Sequence, residues 1–145
     1  MLPPFSSARE SRCLLVVDDQ PSVRVSLEFL LGGEGFRVVT TGSGPEAIER
    51  MGRQFIDGAL IDVHMPIMNG FETCQQLQGL AVKAGRPLWV WFMTGAGRAS
   101  VEKRCVELGA LGVLGKPFDR LSLIDLLENG FKSPALTGRA ISVAS

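Results

Sequence analysis

The chain has 145 residues, 46% of them hydrophobic and 21% charged, which is one globular domain with enough length to bury a core without covalent staples. Lys and Arg total 15, as do Asp and Glu, so no net field draws the chain to duplex DNA or an anionic membrane, and a small ligand or another protein is the expected partner. Residues 1–12 hold Pro3 and Pro4 and no apolar block, and the longest apolar run, Leu88 to Met93, is far too short to cross a bilayer.

Apolar runs bounded by turn residues alternate five times with helical stripes. Cys13 to Val17 reads as a buried strand, followed by a helix whose Val23, Leu27, Leu30 and Leu31 share one face until Gly32, Gly33 and Gly35 stop it. Phe36 to Thr40 is the second predicted strand. Ser43-Gly44-Pro45-Glu46 forms a capping box that opens a helix carrying Ala47, Ile48 and Met51. Gly58 to Asp62 is the third strand, and a turn containing Pro66 and Gly70 leads to a helix with Phe71, Cys74 and Leu77. Leu88 to Thr94, the fourth strand, is apolar on both faces as a central parallel strand should be, with Trp89 and Trp91 sharing one face. Ser100 is the expected cap of a helix striped by Val101, Cys105 and Leu108. Gly112 to Leu114 is a short fifth strand, and Leu121, Ile124, Leu127 and Phe131 are expected to line the last helix. Five such units with short connections require an α/β fold: a doubly wound, five-stranded parallel sheet with helices on both faces.

Cys13, Cys74 and Cys105 are odd in number and fall at apolar positions, which predicts small core residues in a reducing cytoplasm. His64 is the single histidine, so no His-rich zinc site or Ser/His/Asp triad is expected. Gly109 to Lys116 has the wrong spacing for a phosphate-binding Walker loop, and Pro117 stands where its Ser or Thr would be.

Ligands of open α/β sheets bind outside the carboxyl ends of the strands. At those ends the sequence places Asp18 and Asp19, Asp62, Thr94, and Lys116 followed by Pro117. Three carboxylates on one rim need a raised pKa or a bound cation, and all-oxygen ligation suits Mg²⁺. With Lys116 as a point charge and Thr94 as a hydroxyl donor, the set reads as a phosphoryl-transfer site in which a carboxylate is the nucleophile.

Leu14 to Asp19 (LLVVDD), Leu60 to Gly70 (LIDVHMPIMNG), Met93-Thr94-Gly95 and Gly115-Lys116-Pro117-Phe118, in that order, resemble the receiver domain of bacterial two-component response regulators. The resemblance implies a flavodoxin-like strand order 2-1-3-4-5 and phosphorylation on Asp62. It also implies Mg²⁺ held by Asp18, Asp19, Asp62 and the His64 backbone carbonyl. Thr94 resembles the switch hydroxyl, Lys116 the lysine that pairs with the phosphoryl group, and Gly95 the small residue beside it. A cis bond between Lys116 and Pro117 is implied too. The family often has Tyr or Phe where this chain has Val113, so the response to phosphorylation is expected around Thr94 to Arg98 and the start of the fourth helix, with little change at strand five.

The expected limits are an extension at 1–12, the receiver at 13–131 and a flexible tail at 132–145, whose 14 residues are too few for a DNA-binding module. The expected activity is that of a cytoplasmic, stand-alone receiver that is no metabolic enzyme, signals by protein contact and assists its own phosphotransfer and dephosphorylation. Its donor is a histidine kinase or histidine phosphotransfer protein, with no direct nucleic acid or membrane partner and the oligomeric state left open. Lys103, Arg104, Arg120 and Glu128 are the expected exposed residues of the target face. The rivals are a phosphorylation-independent adaptor with the receiver fold, and an aspartyl phosphohydrolase, which lacks support because His64 fills the position of that class's second acid.

Overall fold

Successive side chains of a strand point to opposite faces, and here both faces are apolar, so the sheet needs helices on each side. The computed structural model describes residues 12–135. Residues 1–11 and 136–145, and with them most of the expected extension and tail, lie outside the described residues. Strands β1 (Cys13–Val17), β2 (Arg37–Thr41), β3 (Gly58–Asp62), β4 (Trp89–Thr94) and β5 (Val113–Gly115) alternate with helices α1 (Pro21–Gly33), α2 (Gly44–Met51), α3 (Gly70–Ala84), α4 (Arg98–Leu108) and α5 (Arg120–Phe131). All pairings are parallel, in the order β2-β1-β3-β4-β5, which is the doubly wound, flavodoxin-like arrangement.

Leu14, Val16, Leu60, Trp91 and Met93 bury on one face against Leu27 and Leu31 of α1 and Leu123 and Leu127 of α5, with Trp89 packed at the edge. Leu15, Val17, Ile61, Val90 and Phe92 bury on the other against Ala47 of α2, Cys74 and Leu77 of α3, and Val101 and Cys105 of α4. Each fully buried Leu, Ile or Phe contributes about 1.5–3 kcal/mol, so the two faces together hold the sheet rigid enough to place side chains at its rim. The three cysteines are buried and form no disulfide. Burial pushes the Cys74 thiol up to about 12 and raises that of Cys13. Among the described residues no helix is long and apolar enough to cross a membrane.

Several boundaries and caps need correction. β4 begins at Trp89, whose amide donates to the Asp57 carbonyl at 3.0 Å, and not at Leu88. β2 begins at Arg37 because the Phe36 amide donates to the Leu31 carbonyl, closing the end of α1 instead of extending the ladder. β5 is likewise Val113–Gly115, so that Gly115 pairs with Thr94. α4 starts at Arg98 with Gly97 as N-cap, which makes Ser100 an internal residue of its first turn. In α5, Asp119 is the cap, accepting from the Ser122 amide at 2.7 Å, and this phase turns Leu123, Leu127 and Gly130 inward while Leu121 is 70% exposed. Beyond α5 the packing continues: Trp89 Nε1 donates to the Ser133 carbonyl at 3.0 Å and Ala135 is buried.

Candidate functional site

The apolar interior of β1 ends at Val17, and the Asp18 amide still donates to the Thr41 carbonyl of β2 at 3.1 Å, so the ladder carries Asp18 to the rim before the chain turns. Asp18 is completely buried, with Oδ1 accepting from the Gln20 amide at 2.9 Å and its carbonyl accepting from Arg24 Nη1 at 2.8 Å. Asp19, next along, is exposed. Asp62 is the last residue of β3 and nearly buried; its Oδ1 accepts from the His64 amide at 3.4 Å. The turn behind it is fixed by close approach: the Gly70 amide donates to the Val63 carbonyl at 2.9 Å, and a Cβ at 70 would collide with the Asp62 carbonyl oxygen. At the crest of that turn Ile67 is fully exposed at φ 70, a conformation that branched residues seldom adopt.

Asp18, Asp19 and Asp62 each offer an oxygen within 4.8 Å of the others. Lys116 Nζ lies 2.6 Å from Asp18 Oδ2, 3.5 Å from Asp62 Oδ1 and 3.4 Å from Gln20 Oε1. The Lys116–Asp18 contact is an ion pair without hydrogen-bond alignment, so the buried Asp18 Oδ2 retains an unused acceptor direction. Desolvation raises the Asp62 pKa, the Asp18 carboxylate raises it further, and Lys116 and the His64 amide oppose them. One ammonium among three carboxylates leaves the centre short of positive charge. A buried carboxylate oxygen paired only with that ammonium, beside two further carboxylates, is a donor set that fits a small hard cation such as Mg²⁺.

Thr94, at the end of β4, is buried, and its hydroxyl is engaged within its own loop, donating to the Ala96 carbonyl at 2.5 Å and accepting from the Ala96 amide at 3.2 Å. The Lys116 amide donates to the Thr94 carbonyl at 2.8 Å, which ties β5 to β4 at the rim, and the Lys116–Pro117 bond is cis. Gly95 and His64 are exposed beside these ends, and Val113 is buried in β5. The structure therefore brings Asp18, Asp19, Asp62 and Lys116 into one cluster, whereas the Thr94 hydroxyl faces Ala96.

Of the four residues expected on the target face, Lys103 and Arg120 are exposed, Arg120 pairing with Glu34. Glu128 is half-buried, and Arg104 lies 5.6 Å from the Phe71 ring, on the α3 side of α4, which corrects both placements. Sequence reasoning missed Gln20 and Arg24. Their only signal is position, directly after the acidic pair and one turn into the following helix. Arg98, which donates to the Val113 carbonyl, gave no signal because its partner is a backbone atom 15 residues away.

A carboxylate cluster at the strand-order switch of a 2-1-3-4-5 parallel sheet defines a doubly wound domain with a cation-competent acidic pocket. The chain belongs to the response regulator receiver domain family, whose sequence profile matches residues 14–128. It is similar to the sensor histidine kinase RcsC of Escherichia coli (strain K12), with 34% identity over 111 residues that make up 77% of this chain and 11% of the relative. The response regulator MprA of Mycobacterium leprae is 34% identical over 105 residues, 72% of this chain and 44% of the relative. The chain thus spans less than half the length of these curated relatives. Among solved structures, chemotaxis protein CheY4 of Vibrio cholerae matches at 27% identity and TM-score 0.72, covering 82% of this chain and 98% of that one. The receiver domain of sensor histidine kinase PA1611 from Pseudomonas aeruginosa PAO1 matches at 25% identity and TM-score 0.73, covering 84% and 98%, and holds a magnesium ion in its active site cleft. Receiver domains are regulatory: they bind Mg²⁺ at an acidic pocket, take phosphoryl groups from histidine kinases and interact with other proteins.

Proposed function

We propose that this receiver accepts a phosphoryl group on Asp62, from a histidine kinase or histidine phosphotransfer protein, and signals through altered protein contact. The observation that carries the reading is the placement of Asp62 within 4.8 Å of two further carboxylates and 3.5 Å from Lys116 Nζ, at the carboxyl end of a central strand. An Asp62 carboxylate oxygen attacks phosphorus, and the bond from phosphorus to the donor nitrogen breaks with its electron pair leaving on the donor. Asp18, Asp19, Asp62 and the His64 carbonyl are the groups that would hold Mg²⁺, which when bound supplies positive charge to the transferred oxygens. Lys116 supplies the chain's own positive charge at the same place. Thr94, released from Ala96, has a hydroxyl free to donate to a phosphoryl oxygen, with Gly95 leaving space beside it.

Incubation of the protein with acetyl phosphate and Mg²⁺, followed by intact-mass measurement, tests the reading. One added phosphoryl group is expected in wild type and none in Asp62→Asn. Equal labelling of the two would overturn the assignment of Asp62, and no labelling of either would favour a phosphorylation-independent adaptor.

A further inference from the structure

α4 begins without the aids that steady most helix starts. Gly97 occupies the N-cap at φ 68 and supplies no side-chain bond, no acidic residue stands in the first turn, and Arg98 places a cation at the positive end of the helix dipole. The Arg98 side chain bonds outward instead. Its Nε lies 3.0 Å from Glu102 Oε1 one turn along, and its Nη2 donates to the Val113 carbonyl of β5 at 3.3 Å. Gly115 leaves room for it: a Cβ there would meet Arg98 Nη1 at 3.0 Å and no other atom within 4 Å. The guanidinium fork thus joins the start of α4 to β5 beside a cavity of about 670 Å³ lined by Thr94 to Arg98 and Val113 to Asp119.

Both groups assigned to the phosphoryl oxygens are chain neighbours of this tie. Thr94 stands one short loop before Arg98, and Lys116 directly follows Gly115. The loop between, Gly95-Ala96-Gly97, carries almost no side chain that would resist a change of path. We propose that Arg98 is a positioning residue: bonded to Val113, it holds the loop in the arrangement where the Thr94 hydroxyl is occupied by Ala96, and it lets go of β5 when that hydroxyl turns to the phosphoryl group. Its side chain is 60% exposed, so the tie is weak enough for a loop rearrangement to break. Through it, the state of the Thr94 loop reaches β5 and the face between α4 and α5, although Val113 itself is short and stiff. The inference rests on the phospho-acceptor reading of Asp62.

Amide chemical shifts of the full chain with Mg²⁺, with and without beryllium fluoride as the phosphoryl mimic, test it in wild type, Arg98→Ala, Gly115→Ala and the double variant. In wild type the mimic is expected to move the Val63, Thr94 and Gly95 amides along a defined path. Arg98→Ala without the mimic should already place Thr94 and Gly95 part of the way along that path, because the tied state has lost its differential stabilisation. Gly115→Ala crowds Arg98 Nη1 while keeping the charge, and should move the same amides in the same direction by a smaller amount. The double variant should go no further than Arg98→Ala alone, since both act on the one side chain. Thr94 and Gly95 fixed at their wild-type positions in both singles, with Val63 still responding to the mimic, would overturn the role of Arg98 and leave the phospho-acceptor reading intact. Absence of any response at Val63 in wild type would overturn both.

Discussion

Burial and the Asp18 carboxylate raise the Asp62 pKa against the lowering by Lys116 and the His64 amide, so the folded protein holds a proton there more tightly than the unfolded chain does. When the folded state binds the more protons, stability falls as pH rises from the ordinary carboxylate pKa, about 3.9, through the raised folded value. Below that window Asp62 costs nothing; above it the whole cost of its charge is present. Asp62→Asn removes the charge and keeps an acceptor for the His64 amide, so without divalent cations it should raise the urea midpoint at neutral pH. That gain should shrink as pH falls into the carboxylate range, and a gain growing on acidification would mean that the ionised carboxylate stabilises the fold. The neighbouring groups divide differently. Lys116→Ala removes the cation 3.5 Å from Asp62 Oδ1 and should slow labelling by acetyl phosphate by about 10²-fold, a loss typical of one charge-stabilising donor. Thr94→Ala leaves the carboxylates and Lys116 in place and should still be labelled, while losing the mimic-induced shifts beyond the site. A rate for Thr94→Ala as low as that for Lys116→Ala would make the hydroxyl part of the chemistry.

Each helix start shows how far local sequence reaches. α3 has a complete capping box, with Asn69 Oδ1 accepting from the Glu72 amide at 2.9 Å and Glu72 Oε1 accepting from the Asn69 amide at 3.0 Å. Asn69→Ala should therefore cost about 1 kcal/mol in equilibrium unfolding, and a neutral result would show that packing at Gly70 alone fixes this start. The box at α2 was legible as Ser43 and Glu46, but Glu46 reaches the Gly42 amide instead of Ser43, a choice made by loop geometry. At α4 the sequence Gly95-Ala96-Gly97 offers no capping side chain, so the nearest serine drew the boundary three residues late. At α5 the stripe through Leu121 ignored the phase set by Asp119. Gly130 on that helix was opaque for a different reason: its value lies in what it touches. A Cβ there would stand 2.5 Å from Trp91 Nε1, so α5 can lie close on β4 only with glycine at that point. Gly130→Ala is expected to destabilise by about 1–3 kcal/mol through overpacking, despite alanine's better helix propensity. A stabilised variant would mean that α5 lifts without loss.

Across the whole molecule, the rim residues were legible because strand ends can be read from apolar runs, and what stands at those ends is covalently determined. The sheet order placed Asp18 and Asp62 on adjacent strands, which the sequence supports only through the family resemblance, since periodicity carries no information on which strands pair. The hydroxyl of Thr94 and the reach of Arg98 were not legible, because both are set by rotamers chosen in three dimensions. Asp18 extends β1 and Asp62 ends β3, adjacent interior strands of the sheet, so a cation shared between them is bound only when that pair is assembled. A ligand of the folded state alone stabilises by mass action, about 2.7 kcal/mol at a hundredfold excess over its Kd, which for a domain of this size raises Tm by roughly 5–10 °C. Magnesium titration followed by tryptophan fluorescence on heating should show that rise in wild type and in Thr94→Ala. It should be largely absent in Asp18→Asn, whose buried Oδ2 is the oxygen without an aligned donor, and in Asp62→Asn. Since Asp62→Asn alone is expected to start from a more stable metal-free state, the two curves should converge as Mg²⁺ increases. An equal rise in wild type and both carboxamide variants would place the ion elsewhere and leave the repulsion between Asp18 and Asp62 to Lys116 alone.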